Sequence, residues 1–430
     1  MADDQGAVHH RWRMHPDRDS LLAEAHARPF APVAPPMLAT RVATLSGQDS
    51  AEADRAHMTA LCRKLGHPEP GAGSNWCALD AGTWRLRWER HTEFSTWTFF
   101  RPPLRRHAFT ETALDLAPDQ WVTSMPGEVL VATTVELGAR DGRAAAAGLF
   151  GADAVGSRLN VGTATVFTDF RPDATGMTRF LLLDESGDAV QAGRLMLSLL
   201  EIETYRLMAL LAFPLAGRAR EEVKQIEDEA SLLAAHLADD AGPDNDRRLL
   251  SQLAALAGRA EALGSLTSFR FGAARAYHSI VQDRIESLGE QRIDGMQTLG
   301  TFMERRLAPA MRTCDSVAAR QQAAIERIAR TEQMLNTRVQ VASEASSVAL
   351  LASMDRRARV QLRLQRTVEG LSVAAISYYA IGLLGYMLKA AEHAVPAIDA
   401  VLLGGIATPA VVVTIWWLMH RLKQRLEAEE

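Results

Sequence analysis

Two long uncharged apolar runs near the C-terminus constrain the fold more than any other feature of the sequence. They cover 370–388 and 400–419, which is 19 and 20 residues without Asp, Glu, Lys or Arg. A helix rises about 1.5 Å per residue, so each run would be about 28–30 Å long, the thickness of the hydrocarbon layer of a bilayer. Soluble helices of this length usually carry a polar stripe. We therefore predict a transmembrane hairpin, with a pair of buried helices in a soluble core as the alternative.

Basic residues outside the two runs predict the orientation of this hairpin. Five arginines lie between 356 and 366, and three basic residues lie between 421 and 425, whereas the connecting segment 389–399 carries one Lys and two acids. By the positive-inside rule, both chain ends face the cytoplasm. Residues 1–19 are polar and lack the apolar core of a signal peptide. We expect a protein of the bacterial inner (plasma) membrane, with the lipid bilayer as its partner and both termini cytoplasmic.

A third apolar stretch, Leu195–Phe213, differs from the two runs because it contains charged residues near its centre. Glu201, Glu203 and Arg206 would each cost a few kcal/mol in lipid. The stretch is therefore predicted to be a buried helix of a soluble unit, in which Glu203 and Arg206 pair at spacing i,i+3. Pro214 should break or kink this helix.

The region between this stretch and the first run is predicted to be almost entirely helical, with a turn at 241–246. From residue 285 onward the apolar residues recur at steps of three and four, which indicates an amphipathic helix or coiled coil. Neither Gly nor Pro occurs from 310 to 369. We expect one long helix that continues into the first run, either as a structural stalk or as the pore-lining helix of an oligomer.

The N-terminal third has mixed character. Runs rich in aromatic and β-branched residues predict strands, and they cover 84–89, 94–100, 130–137, 161–170 and 177–183. Helices are predicted at 51–65 and 144–154. The fold class is therefore an α+β (or α/β) N-terminal cytoplasmic domain with a sheet of four to six strands. We expect that domain over 1–186, a helical bundle and stalk over 187–369, the hairpin over 370–419 and a cytoplasmic tail over 420–430.

Sequence motifs of common catalytic and cofactor sites are missing. The chain has no GxxxxGK[ST], GxGxxG, HExxH or GxSxG pattern. The N-terminal histidines have no Cys or carboxylate at a metal-ligand spacing, and three cysteines exclude a disulfide framework. A net charge of −5 argues against nucleic acid as a partner. We expect no enzyme, and the cofactor is unknown, with a divalent cation as one option.

The first run contains hydroxyl groups at helical spacing. Ser372, Tyr379 and Tyr386 are one heptad apart, so they lie near one stripe of a helix. Hydroxyl oxygens can replace part of an ion's hydration shell and line a water-filled path. The alternative is hydrogen bonding between helices together with an aromatic anchor at the membrane interface.

Three segments carry a resemblance to a known family. They are Glu24-Ala-His-Ala-Arg-Pro-Phe30, Leu200-Glu-Ile-Glu-Thr-Tyr-Arg206 and Gly370-Leu-Ser-Val-Ala-Ala-Ile-Ser-Tyr-Tyr379. With them the chain resembles the DUF3422 family over nearly its whole length. The resemblance implies a membrane-anchored bacterial protein and implies no activity. His26 and Arg28 of the first segment are candidates for contact with an anion or a partner, or they belong to a turn before the proline-rich stretch.

The order of the predicted elements is also similar to that of the CorA-type divalent-cation channels. That resemblance implies a homo-oligomer, a pentamer, in which the first span lines the pore. It places Gly385, Tyr386 and Met387 where those channels carry Gly-Met-Asn, and only the glycine matches in register. Glu392 and Asp399 could form carboxylate rings at the outer mouth and attract cations.

Two hypotheses of different class follow from the sequence. The first is an oligomeric inner-membrane protein of CorA-like architecture that passes cations, with Ser372, Tyr379, Gly385, Tyr386 and Met387 lining the path. The second is a non-conducting membrane-anchored scaffold or ligand-binding protein. An enzyme that uses His26 and Arg28 is a third hypothesis.

Overall fold

The computed structural model describes residues 14–18, 21–22, 32–105, 108–138, 148–159, 164–237, 242–394 and 400–426. The chain divides into two units. The first unit comprises Met1–Asp239 and Ser251–Glu332, and the second comprises Asp240–Leu250 and Gln333–Glu430. The sheet and the candidate site described below belong to the first unit. The two apolar runs belong to the second.

A nine-stranded mixed sheet forms the frame of the first unit. Its strands are β1 (Met37–Leu45), β2 (Trp76–Asp80), β3 (Arg85–Arg90), β4 (Phe94–Arg101), β5 (Glu128–Gly138), β6 (Val155–Leu159), β7 (Ala164–Pro172), β8 (Thr178–Leu183) and β9 (Glu290–Arg292). Their order across the sheet is β2-β3-β4-β1-β5-β8-β7-β6-β9. Strands β5 and β8 pair in parallel, and the other pairs are antiparallel. Strand β1 therefore lies between β4 and β5.

Eight α-helices accompany the sheet in the described part of the chain. They are α1 (Ala51–Leu65), α2 (Asp119–Thr123), α3 (Ala189–Leu210), α4 (Ala212–His236), α5 (Pro243–Leu288), α6 (Leu299–Arg306), α7 (Ala308–Ala394) and α8 (Ala400–Leu426). The fold class predicted from the sequence is confirmed: an N-terminal α/β sheet unit is followed by a long helix and a C-terminal apolar helix.

The two faces of the sheet pack against different helices because side chains alternate along a strand. On one face, Leu38 and Trp97 join Met58 and Leu61 of α1 in an aromatic-rich core. On the other face, Ala39 and Val135 join the buried side of α3 in a larger core.

Helix α3 is the third apolar stretch of the sequence, and the prediction that it is buried is confirmed. Asp188 caps its first turn by accepting hydrogen bonds from the backbone N–H groups of Val190 and Gln191. Its Glu203 carboxylate is buried and accepts two hydrogen bonds from Arg206, at 2.8 and 2.7 Å. The helix ends at Leu210, and Pro214 lies in the first turn of α4, where a missing N–H costs little.

Three sequence predictions about the first unit and its borders need correction. The sheet has nine strands rather than four to six, because β1, β2, β6 and β9 were not recognised. The predicted turn at 241–246 is wrong from residue 243 onward, since Pro243 begins α5 and proline is favoured at a first helical position. Of the predicted helix 144–154, residues 144–147 lie outside the described residues and 148–150 are helical, but Gly151–Asp153 forms a 3-10 turn, so the predicted end at 154 is wrong.

Two helices are long and apolar enough to cross a membrane, and their apolar runs belong to the second unit. They lie within Leu299–Ala391 and Val401–Arg421, and the apolar windows in them are 6% and 0% buried. The prediction of an unbroken helix from about residue 310 into the first run is confirmed, since α7 extends over Ala308–Ala394. Pro409 lies inside α8.

Candidate functional site

The pore candidates from the sequence lie together on α7. The Ser372 hydroxyl donates to the Val368 carbonyl at 2.8 Å, so its hydrogen bond is made within its own helix. Tyr379 and Tyr386 are 75% and 76% exposed. Gly385 and Met387 lie beside Tyr386 on the same helix.

The other sequence candidates are not placed by the structure. The side chain of Glu392 and all of Asp399 lie outside the described residues, as do His26 and Arg28 of the first family segment. Their predicted roles therefore stay predictions.

The second family segment, on α3, lies over a polar part of the sheet. Its apolar residues Leu200 and Ile202 are fully buried, whereas Glu201 accepts a 2.5 Å hydrogen bond from Nε of Arg284 on α5. Tyr205, one helical turn further on, stacks on Tyr277 of α5 with ring centroids 5.6 Å apart. The segment therefore joins α3 to α5 through one ion pair and one aromatic pair.

Six polar side chains cover the sheet beneath these helices, and we call them the polar belt. They are Arg41 of β1, Arg87 and Glu89 of β3, Thr96 and Thr98 of β4 and Thr133 of β5. The register sets Arg41 opposite Thr98 on one side and opposite Thr133 on the other. It also sets Arg87 opposite Thr98, and Glu89 opposite Thr96. Since side chains of paired residues share a face, the belt crosses four adjacent strands.

The helices that cover the belt are identified by its apolar neighbours. Ala39 and Ala43 flank Arg41 at spacing two on β1, so they point the same way. Ala39 packs in the core with α3, and Ala43 packs with Met208, Tyr205 and Tyr277. The belt is therefore buried between the sheet and α3 and α5.

Arg41 is the centre of the belt. It is only 2% exposed, and its Nε donates to the Thr98 hydroxyl at 2.9 Å. Its Nη2 lies 3.9 Å from Oε2 of Glu89, too far for a hydrogen bond. The other oxygen of that carboxylate, Oε1, accepts two hydrogen bonds from Arg87, at 3.0 and 2.6 Å. Glu89 is therefore held closely by Arg87 and only loosely by Arg41.

Burial and charge act in opposite directions on the ionisable groups of the belt. Burial lowers the pKa of Arg41 below its ordinary value, although the charges of Glu89 and Glu201 act to raise it. Burial alone would raise the pKa of Glu89, but the charges of Arg41 and Arg87 outweigh it and the pKa is lowered. Arginine does not lose its proton in proteins, so Arg41 is a permanent buried cation.

A cleft of about 450 Å³ opens beside the belt. Its lining residues are Gln48, Ala51, Asn75, Arg90, His91, Thr92, Tyr205, Tyr277 and Ile280. At its wall the Tyr277 hydroxyl donates to the Glu93 carboxylate at 3.0 Å, and Arg270 donates to the same carboxylate at 2.9 and 2.6 Å. Burial and the Glu93 charge raise the pKa of Tyr277. The cleft is therefore a polar, pre-formed space of the size of a small-molecule site.

The side chains of the cleft are suited to hydrogen bonding with a polar ligand. Within the described ranges, no group of three or more His, Cys, Asp or Glu side chains could hold a metal ion. The cleft instead presents hydroxyl, imidazole and guanidinium groups, which hydrogen-bond to polar ligands.

Comparison with known families assigns nearly the whole chain to one family. The family model described as "Protein of unknown function (DUF3422)" matches residues 13–426. The chain belongs to the DUF3422 family. The resemblance drawn from the three sequence segments is thereby confirmed, and the family's description names no activity. No curated protein and no solved structure matches the chain.

None of the six belt residues was predicted from the sequence as a functional residue. Segment MLATRVATL of β1 contains a single charged residue, Arg41, among apolar and hydroxyl residues. One charge in such a segment does not form a recognisable sequence motif of a binding site. The belt forms only when β1 is inserted between β4 and β5, and the sequence does not show that order. The family segment at 200–206 is the sequence signal that could have directed attention to this part of the sheet, since it lies on the helix that covers the belt.

Proposed function

We propose that this DUF3422 protein is a membrane-anchored, non-conducting ligand-binding protein. Its α/β unit binds a small polar ligand in the cleft, and the hairpin of α7 and α8 holds it at the inner face of the plasma membrane. We further propose that it has no catalytic activity, a homo-oligomeric state and no nucleic-acid partner.

The observation that carries the proposal is the contrast between two kinds of apolar helix in one chain. In α3, Leu195, Leu199 and Leu200 are at most 3% exposed, which is how a helix of a soluble core buries its apolar residues. In the two runs, Leu383 and Val401 are 65% and 82% exposed. A soluble protein rarely leaves so large a contiguous apolar surface in water, whereas a bilayer would cover it.

The residues that flank the hairpin support the proposed orientation. Arg356, Arg357, Arg359, Arg363 and Arg366 precede the first run, and basic residues also follow the second. Such clusters favour the cytoplasmic side and attract anionic lipid headgroups.

Exposed apolar residues on α7 before the first run support self-association. Val348, Leu351, Met354 and Leu362 are between 56% and 65% exposed, although they precede the uncharged run by several turns. Contact between copies of α7 would cover them in the manner of a coiled coil.

The experiment that tests anchorage is alkaline extraction of membranes that carry the full-length chain. One variant, Leu383→Arg with Val413→Arg, places a charge in each run. The matched control, Leu350→Arg with Leu364→Arg, places charges on equally exposed residues of α7 outside the runs. A charge near the centre of a span costs about 2.5–3.5 kcal/mol on insertion scales.

Wild type and control should stay in the membrane fraction, and the hairpin variant should be extracted or degraded. If the wild type itself is extracted, or if the hairpin variant behaves as the wild type does, the anchor is not this hairpin.

Cation conduction is the second candidate, and one observation favours it. Tyr379 and Tyr386 are one heptad apart on α7 and both are exposed, so several copies arranged as in the CorA-type channels could turn these hydroxyls toward a shared path. In proteoliposomes that contain the full chain, this candidate predicts uptake of Mg²⁺, Co²⁺ or Zn²⁺ that Tyr386→Ala alters. The non-conducting proposal predicts uptake equal to that of empty vesicles.

A further inference from the structure

The arginines around the polar belt have a close carboxylate partner, except for Arg41. Three arginines each lie within hydrogen-bonding reach of a carboxylate: Arg87 and Glu89 at 2.6 Å, Arg284 and Glu201 at 2.5 Å, and Arg270 and Glu93 at 2.6 Å. For the more deeply buried Arg41, the carboxylate oxygen lies at 3.9 Å and belongs to Glu89, which Arg87 already holds. A buried guanidinium with so distant a counter-charge is costly.

Three polar atoms at this place are buried and have no hydrogen-bond partner in the part of the chain that the structure describes. They are Nη2 of Arg41 and the hydroxyl oxygens of Thr96 and Thr133. Thr133 is directly opposite Arg41 across β1 and β5, and Thr96 is its diagonal neighbour on β4. Side chains at such positions are about 5 and 7–8 Å apart at Cβ. Buried polar groups almost always have hydrogen-bond partners. Three unpartnered polar atoms in one place therefore indicate that a ligand supplies the missing partner.

We infer that an oxyanion, a carboxylate or a phosphate group of a small ligand, binds at Arg41, with Thr133 and Thr96 as additional hydrogen-bond donors. This inference rests on the proposed function and names the ligand class. A guanidinium donates short, charge-assisted hydrogen bonds to carboxylate and phosphate oxygens. Each hydroxyl has one O–H to donate and can turn toward the same anion. The bound oxyanion supplies the counter-charge that Glu89 gives only at a distance.

The cleft offers the route by which the anion reaches Arg41. Tyr205 lines the cleft and also packs against the cluster that contains Ala43, which lies two residues from Arg41 on the same face of β1. The body of the ligand would occupy the cleft, and its oxyanion would point past Tyr205 toward the belt.

The test measures binding of two probes to the full-length chain in detergent, by isothermal titration calorimetry and by thermal unfolding. The probes are inorganic phosphate and succinate, each at constant ionic strength in chloride, with glycerol as an uncharged comparison. We expect saturable binding of at least one oxyanion and a higher unfolding temperature in its presence. Succinate binding without phosphate binding would identify a carboxylate ligand, and the reverse would identify a phosphate ligand.

Variants locate the site. Arg41→Gln should weaken binding and raise the dissociation constant at least tenfold. Thr133→Val keeps the side-chain shape and removes one donor, so it should weaken binding severalfold and leave the unliganded protein as stable as before or more stable. The matched control is Thr44→Val, a buried threonine of β1 on the other face, whose hydroxyl accepts from Trp97 Nε1 at 3.2 Å. The control should be less stable and should bind the anion as the wild type does.

Equal binding by wild type, Arg41→Gln and Thr133→Val would overturn the inference, as would no saturable binding of either anion, which would mean that ordered water alone satisfies the three atoms. If uncharged or cationic compounds stabilise the chain while both anions do not, the ligand-binding proposal stands and the oxyanion inference fails. Loss of membrane anchorage in the extraction experiment affects neither result.

Discussion

At the scale of single residues, the first unit depends on buried charges and rings whose partners lie far away in sequence. Glu93 is one example, since it pairs with Arg270 of α5 at 2.6 Å, and Asp54 of α1 is another, since it accepts hydrogen bonds from Ser46 and Ser95, both at 2.7 Å. Such groups are satisfied only in the folded sheet. Their removal is therefore expected to affect stability more than the removal of any exposed pair.

The buried pair on α3 gives the first prediction. Arg206→Met leaves the Glu203 carboxylate, which is fully buried, with the Thr178 hydroxyl at 2.9 Å as its remaining partner. Loss of one member of such a pair costs about 3 kcal/mol or more in the free energy of unfolding. Urea unfolding followed by tryptophan fluorescence measures this loss. The control, Arg247→Met, removes an exposed pair with Asp244 and should change the free energy by less than about 0.5 kcal/mol. Equal effects of the two would contradict the prediction.

His57 gives the second prediction, which concerns pH. Its ring stacks on Trp121 with centroids 4.4 Å apart, and burial lowers its pKa below the ordinary value, although Asp54 acts to raise it. The unfolded chain then takes up the proton first as the pH falls, so stability should be lost below about pH 6.5. His57→Phe keeps the stack and removes the titration.

The measurement is the unfolding temperature at about pH 7.5 and about pH 5.5. Wild type should lose stability over this interval, and His57→Phe should lose less of it. The control His236→Gln, at an exposed position near the end of α4, should lose as much as the wild type. An identical pH dependence in His57→Phe and wild type would show that His57 does not titrate as expected.

At the scale of secondary-structure elements, the position of β1 decides the site. Its residues alternate between the aromatic core on one face and the belt on the other, and its two neighbours β4 and β5 supply the threonines. The residue before β5, Gly127, packs closely against the end of β1. Gly127 has φ of +86°, and a Cβ there would lie 2.4 Å from the Leu45 carbonyl oxygen at the end of β1.

Gly127→Ala is therefore the third prediction. It combines an unfavourable positive φ with a backbone clash, so we expect a loss of about 3 kcal/mol in the free energy of unfolding. Gly176→Ala is the matched control, since Gly176 has φ of +84° but no atom within 4 Å of the new methyl group. Its loss should be about 1 kcal/mol. Urea unfolding of the two variants compares them, and a smaller loss at Gly127 than at Gly176 would refute the assigned contact with Leu45.

The elements also show how much of the fold could be predicted. Local patterns were sufficient for α1, whose bounds at Ala51 and Leu65 were predicted, for β3, β4, β5 and β8, and for the unbroken course of α7. Short strands such as β2 and β6 were missed because five residues carry too little alternation. The belt could not be predicted, since the pairing of β1 with β5 depends on contacts about ninety residues apart.

At the scale of the whole molecule, the proposed function gives the two units separate roles. The cleft and the buried Arg41 of the first unit would bind the ligand, and the two exposed apolar helices of the second unit would enter the bilayer. The oligomeric mass of the detergent-purified chain follows from the proposed contact between copies of α7. We expect a complex of two or more chains by native mass spectrometry or light scattering. A monomer would contradict the proposed contact between copies of α7. A pentamer would favour a CorA-type arrangement and cation conduction over the non-conducting proposal.

Labelling of single cysteines in intact cells with a membrane-impermeant thiol reagent tests whether the two runs form a transmembrane hairpin. The three native cysteines are buried and give little background. Ala397→Cys tags the segment between the two runs, and Ala428→Cys tags the tail. We predict that Cys at 397 is labelled from outside and that Cys at 428 is labelled only after the membrane is opened. If both positions are labelled only after opening, or both are labelled in intact cells, the chain does not cross the membrane as a hairpin.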